Sequence, residues 1–269
     1  MRSPTRTLID PSRPVIADCR FSCERRMGIG DKVVVVGALQ ALAAAGFDVR
    51  ARWNDGDDWL FFASGIREWT GEAGALLPMR GHCMEIPVAA TQEDADTADL
   101  SAPHPVWRVL WNHGLEEYAP PTPDVRLFPS LRSGWRAPLW FPIEVSRARN
   151  PIPPEAWERP LVELADTYGP AIACCAPGQF RAASEILSRL SRRARGCVKE
   201  GLSCPGGPGD LLSAIAAAPH VLTGNSGPMW LAMATRTPLT VLQRPADTPH
   251  AAMWNARPGW SPLLRLVQI

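Results

Sequence analysis

The stretch from 220 to 243, H-V-L-T-G-N-S-G-P-M-W-L-A-M-A-T-R-T-P-L-T-V-L-Q, constrains this chain more than any other. Val221, Leu222 and Thr223 form an apolar run long enough for one buried strand. Gly224-Asn225-Ser226-Gly227-Pro228 interrupts it with two glycines, an Asn-Ser pair of capping type and a proline suited to a first helical turn. Met229, Leu231, Ala232, Met233 and Ala234 continue as a short apolar helix, and Pro238-Leu239-Thr240-Val241-Leu242 reads as the next strand. The pattern is a βαβ unit whose helix begins directly after a small-residue loop. Such a helix start presents unpaired N–H groups and the positive end of the helix dipole, which favours a phosphate. Glycine at 224 and 227 lets a ligand come close to the backbone, because no Cβ stands in the way. The same residues also fit an ordinary βαβ turn that holds no ligand, since Asn-Ser and Gly often begin helices.

A second glycine loop lies near the N-terminus. Pro14 to Phe21 reads as a first strand and leads through Arg25-Arg26-Met27-Gly28-Ile29-Gly30-Asp31 into a helix from Lys32 to Ala45. Val33, Val34, Val36, Leu39, Leu42 and Ala43 give that helix a broad apolar face, and Gly46 is placed to stop it. Phe47 to Trp53 alternates apolar and polar residues as a second strand. Gly28-x-Gly30 lacks the third glycine of the dinucleotide fingerprint. Asp55 to Ala75 reads as loop and then weak helix, with Trp59, Leu60, Phe61, Phe62 and Ile66 as core.

From Arg147 to Arg159 the chain is charged, proline-rich and without periodicity, so a linker is expected there, dividing the chain into residues 1–150 and 151–269. Beyond it, Leu161 to Tyr168 reads as a short helix, Ala171 to Cys175 as a buried strand, and Arg181 to Arg193 as a helix. Cys197-Val198-Lys199 is a further strand and Gly209 to Ala218 a further helix. This alternation predicts an α/β fold with doubly wound, mostly parallel sheets.

The chain has 269 residues, room for two modest α/β domains. A net charge of +1 gives no global electrostatic reason to expect nucleic acid or an anionic membrane as partner. An odd number of cysteines, seven, with Cys174-Cys175 inside an apolar strand, reads as reduced thiols of a cytoplasmic protein. Cys19-x-x-x-Cys23 has no second pair at metal-site spacing, so no metal is expected. The N-terminus lacks the apolar core of a signal peptide, and no run approaches the ~18 apolar residues of a membrane span. Prolines and four tryptophans (Trp107, Trp111, Trp135 and Trp140) crowd the region from Ser101 to Pro160, which argues against regular helix through most of it. His104, Arg108, His113, Glu116, Glu117 and Tyr118 form a polar–aromatic cluster there. That cluster suits a sugar acceptor site and equally a buried hairpin with a polar edge. His82 reads as a loop residue and Thr91 to Ala98 as an acidic surface turn.

T-G-N-S-G-P-M-W-L-A-M-A-T-R-T-P, residues 223–238, resembles the C-terminal signature of the ADP-heptose:lipopolysaccharide heptosyltransferase family. That signature runs (D/N)-(S/T)-G-P-x-H-x-A-x-A, then a short gap, a proline and a strand. Asn225, Ser226, Gly227, Pro228, Met229, Ala232, Ala234 and Pro238 fall in register, while Trp230 stands where the family has histidine. Near the N-terminus, Gly30-Asp31, Gly37 to Leu42 and Gly46 to Val49 are similar to the family's opening strand, G-D loop, apolar helix and second strand.

The resemblance implies a GT-B-like architecture, two Rossmann-type doubly wound domains facing across a cleft. Residues 1–150 would be the acceptor side and 151–269 the nucleotide-sugar side. It implies that Asp31, next to Gly30, is the base that takes the acceptor's proton, although Asp31 also fits an N-cap. The loop from Gly224 to Met229, with Asn225, Gly227 and Pro228 in it, would hold the diphosphate through its backbone N–H groups and the Ser226 hydroxyl. Glu200 in V-K-E-G would bond the ribose. The family's phosphate-binding lysine has no counterpart in A-P-G-Q-F-R, where Arg181 is the available substitute. The implied reaction is inverting, metal-independent transfer from a nucleoside-diphosphate sugar to an acceptor hydroxyl, with helix N-terminal donors stabilising the leaving group. No cofactor is implied beyond that donor substrate. The acceptor stays open between a lipid-linked saccharide, a small metabolite, a protein and a modified nucleic acid. Two other readings remain: a sugar-nucleotide epimerase of the same architecture, and a degenerate transferase acting as a binding or scaffold protein. Trp230 and the missing lysine favour the scaffold, and Asp31 favours the enzyme.

Overall fold

A computed structural model of the chain describes residues 9–10, 12–19, 29–53, 56–71, 73–78, 109–110, 113–115, 117–118, 125–129, 136–144, 152–244 and 263–269. The chain divides into two compact units, Met1–Phe128 and Pro129–Ile269. Among the described residues no helix is long and apolar enough to cross a membrane.

In the first unit β1 (Val15–Asp18) is followed by α1 (Ile29–Ala44), β2 (Val49–Arg52), α2 (Asp58–Ser64), β3 (Arg67–Glu68) and β4 (Ala75–Pro78). The strands form one parallel sheet in the order β3-β2-β1-β4. All four residues of β1 are buried, as expected for a parallel strand covered on both faces. Residues 33–39 of α1 are buried without a break, so this helix is apolar nearly all round rather than striped. Gly46 stops it as expected, with φ +99° and the Phe47 N–H donating to the Leu42 carbonyl at 3.1 Å. The helix begins at Ile29, so Gly30 and Asp31 lie inside its first turn and Asp31 does not precede it as an N-cap. Leu60 and Ile66 are core, as expected, but Phe62 is 76% exposed. In the short α2, Leu60, Ala63 and Ser64 face inward and Phe62 falls on the opposite side.

The second unit contains β5 (Leu139–Phe141), α3 (Pro154–Tyr168), β6 (Ala171–Cys174), a 3₁₀ turn (Pro177–Gln179), α4 (Phe180–Arg189), α5 (Arg192–Gly196) and β7 (Val198–Ser203). It continues with α6 (Pro208–Ala217), β8 (Val221–Gly224), α7 (Gly227–Thr235), β9 (Leu239–Gln243) and β10 (Leu264–Gln268). Every pairing is parallel, in the order β10-β9-β8-β5-β6-β7. The division therefore falls ahead of the expected linker. β5 is a central strand of the second sheet, and Pro154 to Arg159 open α3 instead of linking domains. Proline is accommodated at the start of α3 because the first helical N–H groups have no partner to lose. Trp157, Pro160, Leu161 and Leu164 then recur at helical spacing and are buried. The expected helix over 181–193 is broken at Leu190, and Ser191 starts α5 by accepting from the Ala194 N–H. β10 was not anticipated: the terminal segment adds an edge strand along β9.

Trp140 of β5 lies at the centre of the second core, with Trp157 against it edge-on at 5.7 Å between ring centroids. Leu161, Ala173, Val198, Leu222 and Leu242 belong to the same cluster, so α3 and the five strands β5 to β9 share it. At the amino-terminal edge of the same sheet, His220 Nε2 lies 2.9 Å from Thr240 Oγ1 and its ring stacks on Tyr168 at 5.3 Å. Burial, and secondarily the nearby Arg265 charge, push the His220 pKa down to about 4.

Two outcomes follow from this packing. Trp140→Ala is expected to lower the unfolding free energy by about 3–5 kcal/mol, read as a reduced urea midpoint at unchanged slope. Between pH 6.5 and about 4 the unfolded chain binds a proton at His220 that the folded chain refuses. The contribution of His220 is thus complete above pH 6.5 and is lost as pH falls toward 4. The drop in urea midpoint between pH 7.5 and pH 5 should be smaller in His220→Gln than in the wild type.

Candidate functional site

The order β10-β9-β8-β5-β6-β7 reverses direction between β5 and β8. In an open parallel sheet, the crevice beyond the strand carboxyl ends at such a reversal is where ligands enter. Three segments meet there: Pro142 to Glu144 after β5, Gly224 to Ser226 at the end of β8, and Arg244 after β9. Glu144 is buried, and its Oε2 lies 2.9 Å from Arg244 Nη1. Since β8 lies between β5 and β9, this ion pair bridges over the end of β8. Gly224 lies against it. A Cβ at Gly224 would stand 2.6 Å from Glu144 Cδ and 2.8 Å from its Cγ, closer than any side chain allows. A Cβ at 224 would force the Glu144 side chain to move, and the group approaching is a carboxylate of the chain itself.

Ser226 occupies the N-cap position of α7 in an extended conformation, φ −148° and ψ 178°, but its side chain does not cap the helix. Its hydroxyl meets the Thr223 hydroxyl at 3.0 Å, and both residues are buried. The hydroxyl expected to reach a phosphate instead closes the turn from within. The Met229 N–H donates to the Ser226 carbonyl at 3.0 Å, and Pro228 has no N–H. The main-chain donors that this turn can offer a ligand are therefore those of Asn225, Ser226 and Gly227. Met229 contributes by burying its side chain under the helix start, and Trp230 is half-buried in the same turn.

Glu200 is not brought to this turn. It is exposed in the body of β7, the outermost strand, with β6 and β5 between it and β8. At a strand spacing of about 4.8 Å this puts it roughly 14 Å away. Arg181 is exposed in the first turn of α4, beyond β6. Burial pushes the Cys174 thiol at the end of β6 up to about 12, so it stays protonated at neutral pH and is no nucleophile.

In the first unit, Gly30 and Asp31 lie in the first turn of α1, while the Asp31 side chain lies outside the described residues. Its neighbour Lys32 pairs with Asp57, and Asp18 is buried at the end of β1. Cys19, fully buried, has its thiol held well above the ordinary range by burial, then by the Asp18 and Asp57 charges. These two aspartates were not singled out from the sequence, where nothing in their spacing joins them. Of the polar–aromatic cluster, His104, Arg108 and Glu116 lie outside the described residues, as do His82, Thr91 to Ala98 and Cys23. His113 is tied to its own turn, its Nδ1 2.8 Å from the Val109 carbonyl, and Tyr118 meets Phe47 edge-on at 5.0 Å. Among the described residues no group of three or more His, Cys, Asp or Glu is arranged to hold a metal.

No protein-family model matches the chain, and no curated protein matches it in sequence. Solved structures do match in fold. A glycosyl transferase family 9 structure from Veillonella parvula DSM 2008 superposes with a TM-score of 0.58 at 9% identity, over 98% of this chain and 88% of that one. E. coli ADP-heptose lps heptosyltransferase II gives 0.55 at 15% identity, over 94% and 90%. E. coli heptosyltransferase WaaC with ADP-2-deoxy-2-fluoro heptose gives 0.51 at 11% identity, over 94% and 92%. At these identities the likeness shows the fold: the chain has the two-unit, parallel α/β fold of these glycosyltransferases, as the motifs at its two ends led one to expect.

The close approach at Gly224 has a measurable consequence. Gly224→Ala is expected to destabilise the protein by about 1–3 kcal/mol through overpacking against Glu144. In a double-mutant cycle with Glu144→Ala, which removes the obstructing atoms, the combined cost in urea unfolding should fall below the sum of the single costs.

Proposed function

We propose that the protein transfers a sugar from a nucleoside-diphosphate sugar to an acceptor hydroxyl, with inversion and without a metal ion. The observation that carries this reading is the glycine turn Gly224 to Gly227, set at the strand-order reversal with the N-terminus of α7 behind it. It sits on a fold shared, over nearly the whole chain, with glycosyltransferases, one of them solved with an ADP-heptose analogue.

The diphosphate of the donor lies against the N–H groups of Asn225, Ser226 and Gly227 at the positive end of the helix dipole. As the bond between the anomeric carbon and the diphosphate oxygen breaks, negative charge grows on the leaving group. Fixed N–H donors stabilise that charge without reorganising. Pro228 fixes the backbone of the first turn, and Met229 anchors it in the core. The acceptor oxygen attacks the anomeric carbon from the face opposite the leaving group, which inverts it. The acceptor's proton passes to Asp31, and Gly30 beside it leaves room for the acceptor. Glu144 on Gly224, and Trp230 at the position of the family's histidine, favour a second reading in which the fold is kept for binding without turnover.

A thermal-shift screen against ADP, GDP, UDP, CDP and dTDP, with and without Mg²⁺, tests the donor site. One diphosphate should raise the unfolding midpoint equally with and without metal, since a ligand at 100 times its Kd adds about 2.7 kcal/mol. Gly227→Val should lose that shift. Asp31→Asn should keep the shift and abolish transfer, measured as release of the nucleoside diphosphate from its sugar. No shift with any of the five would remove the donor site, and full transfer by Asp31→Asn would remove the base.

A further inference from the structure

We propose that Arg244 is the cation that meets the donor's diphosphate, and that Glu144 is the residue that positions it. This rests on the donor-site reading above and adds to it a charge that neither the motif nor the fold assigns.

The glycine turn supplies only neutral main-chain donors, and Pro228 and Met229 add none. A nucleoside diphosphate brings at least two negative charges, which neutral donors alone meet poorly. Arg181, the substitute that the sequence offered, stands exposed beyond β6, on the far side of β5 from the turn. Arg244 follows β9, directly beside β8 and its turn. Its side chain is 13% exposed, whereas that of Glu144 is 1% exposed. The carboxylate is therefore closed off from solvent, and Arg244, whose Nη1 is buried against Glu144, is the member of the pair whose side chain keeps an exposed part. A flat fork of five N–H groups can be held by one anion while it binds another bidentately, which suits it to a phosphate.

The burial itself needs a reason. A buried ion pair contributes little net stability over apolar groups of the same shape, because both charges lose their water. Where it stands, this pair also leaves no room for a Cβ at position 224, since the Glu144 side chain lies on that Cα. Here it sets a positive charge at the mouth of the ligand crevice in one orientation, tied across three strand ends. Glu144 acts on the ligand only through Arg244.

The test is equilibrium binding of ADP, adenosine and inorganic pyrophosphate to the wild type, Arg244→Lys, Arg244→Gln, Glu144→Gln and the double variant Glu144→Gln/Arg244→Gln. The double variant carries no buried unpaired charge, so it keeps the comparison valid should Arg244→Gln fold poorly. Arg244→Gln should weaken ADP and pyrophosphate at least roughly tenfold, the usual scale of a lost charge-assisted contact, and leave adenosine unchanged. Arg244→Lys should retain part of the binding. Glu144→Gln should weaken the same two ligands less, and the double variant should match Arg244→Gln, as it must if Glu144 works through Arg244. Wild-type affinity for ADP and pyrophosphate in the Arg244→Gln and double variants would overturn the inference and leave the donor site standing. Equal loss of adenosine and ADP would make the pair a structural strut and overturn it too. If the wild type binds neither pyrophosphate nor any nucleoside diphosphate, the donor reading fails and this inference falls with it.

Discussion

The parallel pairing of β5 with both β6 and β8 is what the second unit depends on. β5 has three residues, Leu139 to Phe141, yet Leu139 is in register with Ile172 on one side and Val221 on the other. Without it the sheet would fall into two halves, β10-β9-β8 and β6-β7. So short a strand contributes few ladder hydrogen bonds, and its hold comes from burial. All three of its side chains are buried, and Trp140 packs against Trp157 of α3. Because the strand order reverses at β5, the same three residues also create the crevice beyond the strand ends. Core and candidate site therefore share one cause.

The two edges of that sheet are built differently. At the amino-terminal edge, His220, Tyr168 and Thr240 stack and hydrogen-bond, and Arg265 pairs with Glu163 at 2.7 Å. That edge keeps its histidine neutral through burial. At the carboxyl edge the charges are kept instead, as the Glu144–Arg244 pair above Gly224. Removing one partner of a buried ion pair costs about 3–5 kcal/mol. The strand ends around the crevice are thus held rigidly at the place where a ligand would make its contacts, and the Ser226–Thr223 hydroxyl bond closes the turn beneath it.

The first unit repeats the plan on a smaller scale. Its order β3-β2-β1-β4 reverses between β1 and β4, and the carboxyl end of β1 carries buried Asp18 with Lys32 and Asp57 nearby in the fold. Asp31 lies in the first turn of α1, a helix buried without a break from residue 33 to residue 39.

Local patterns carried the sequence reading far. Residues 220–243 announced strand, turn, helix and strand, because each step is set by neighbours in the chain: glycines for close approach, proline for the first helical turn, apolar runs for burial. Gly46 stopped α1 for the same kind of reason. The expectations that changed concern distant partners. β5, flanked by prolines, has no periodicity to read, and its pairing energy comes from strands far along the chain, so nothing local marked it as a strand. Pro154 to Arg159 looked like a linker until Trp157 and Leu161 found a core to bury against. Glu200 stands three strands from the turn, whereas Glu144 and Arg244, unremarkable where they stand in the chain, meet over Gly224. The sequence by itself determined the kind of turn and the class of fold, because short-range sterics and hydrophobic spacing decide those. Only the tertiary structure decided which charges stand at the turn, because that depends on the order in which the strands pair.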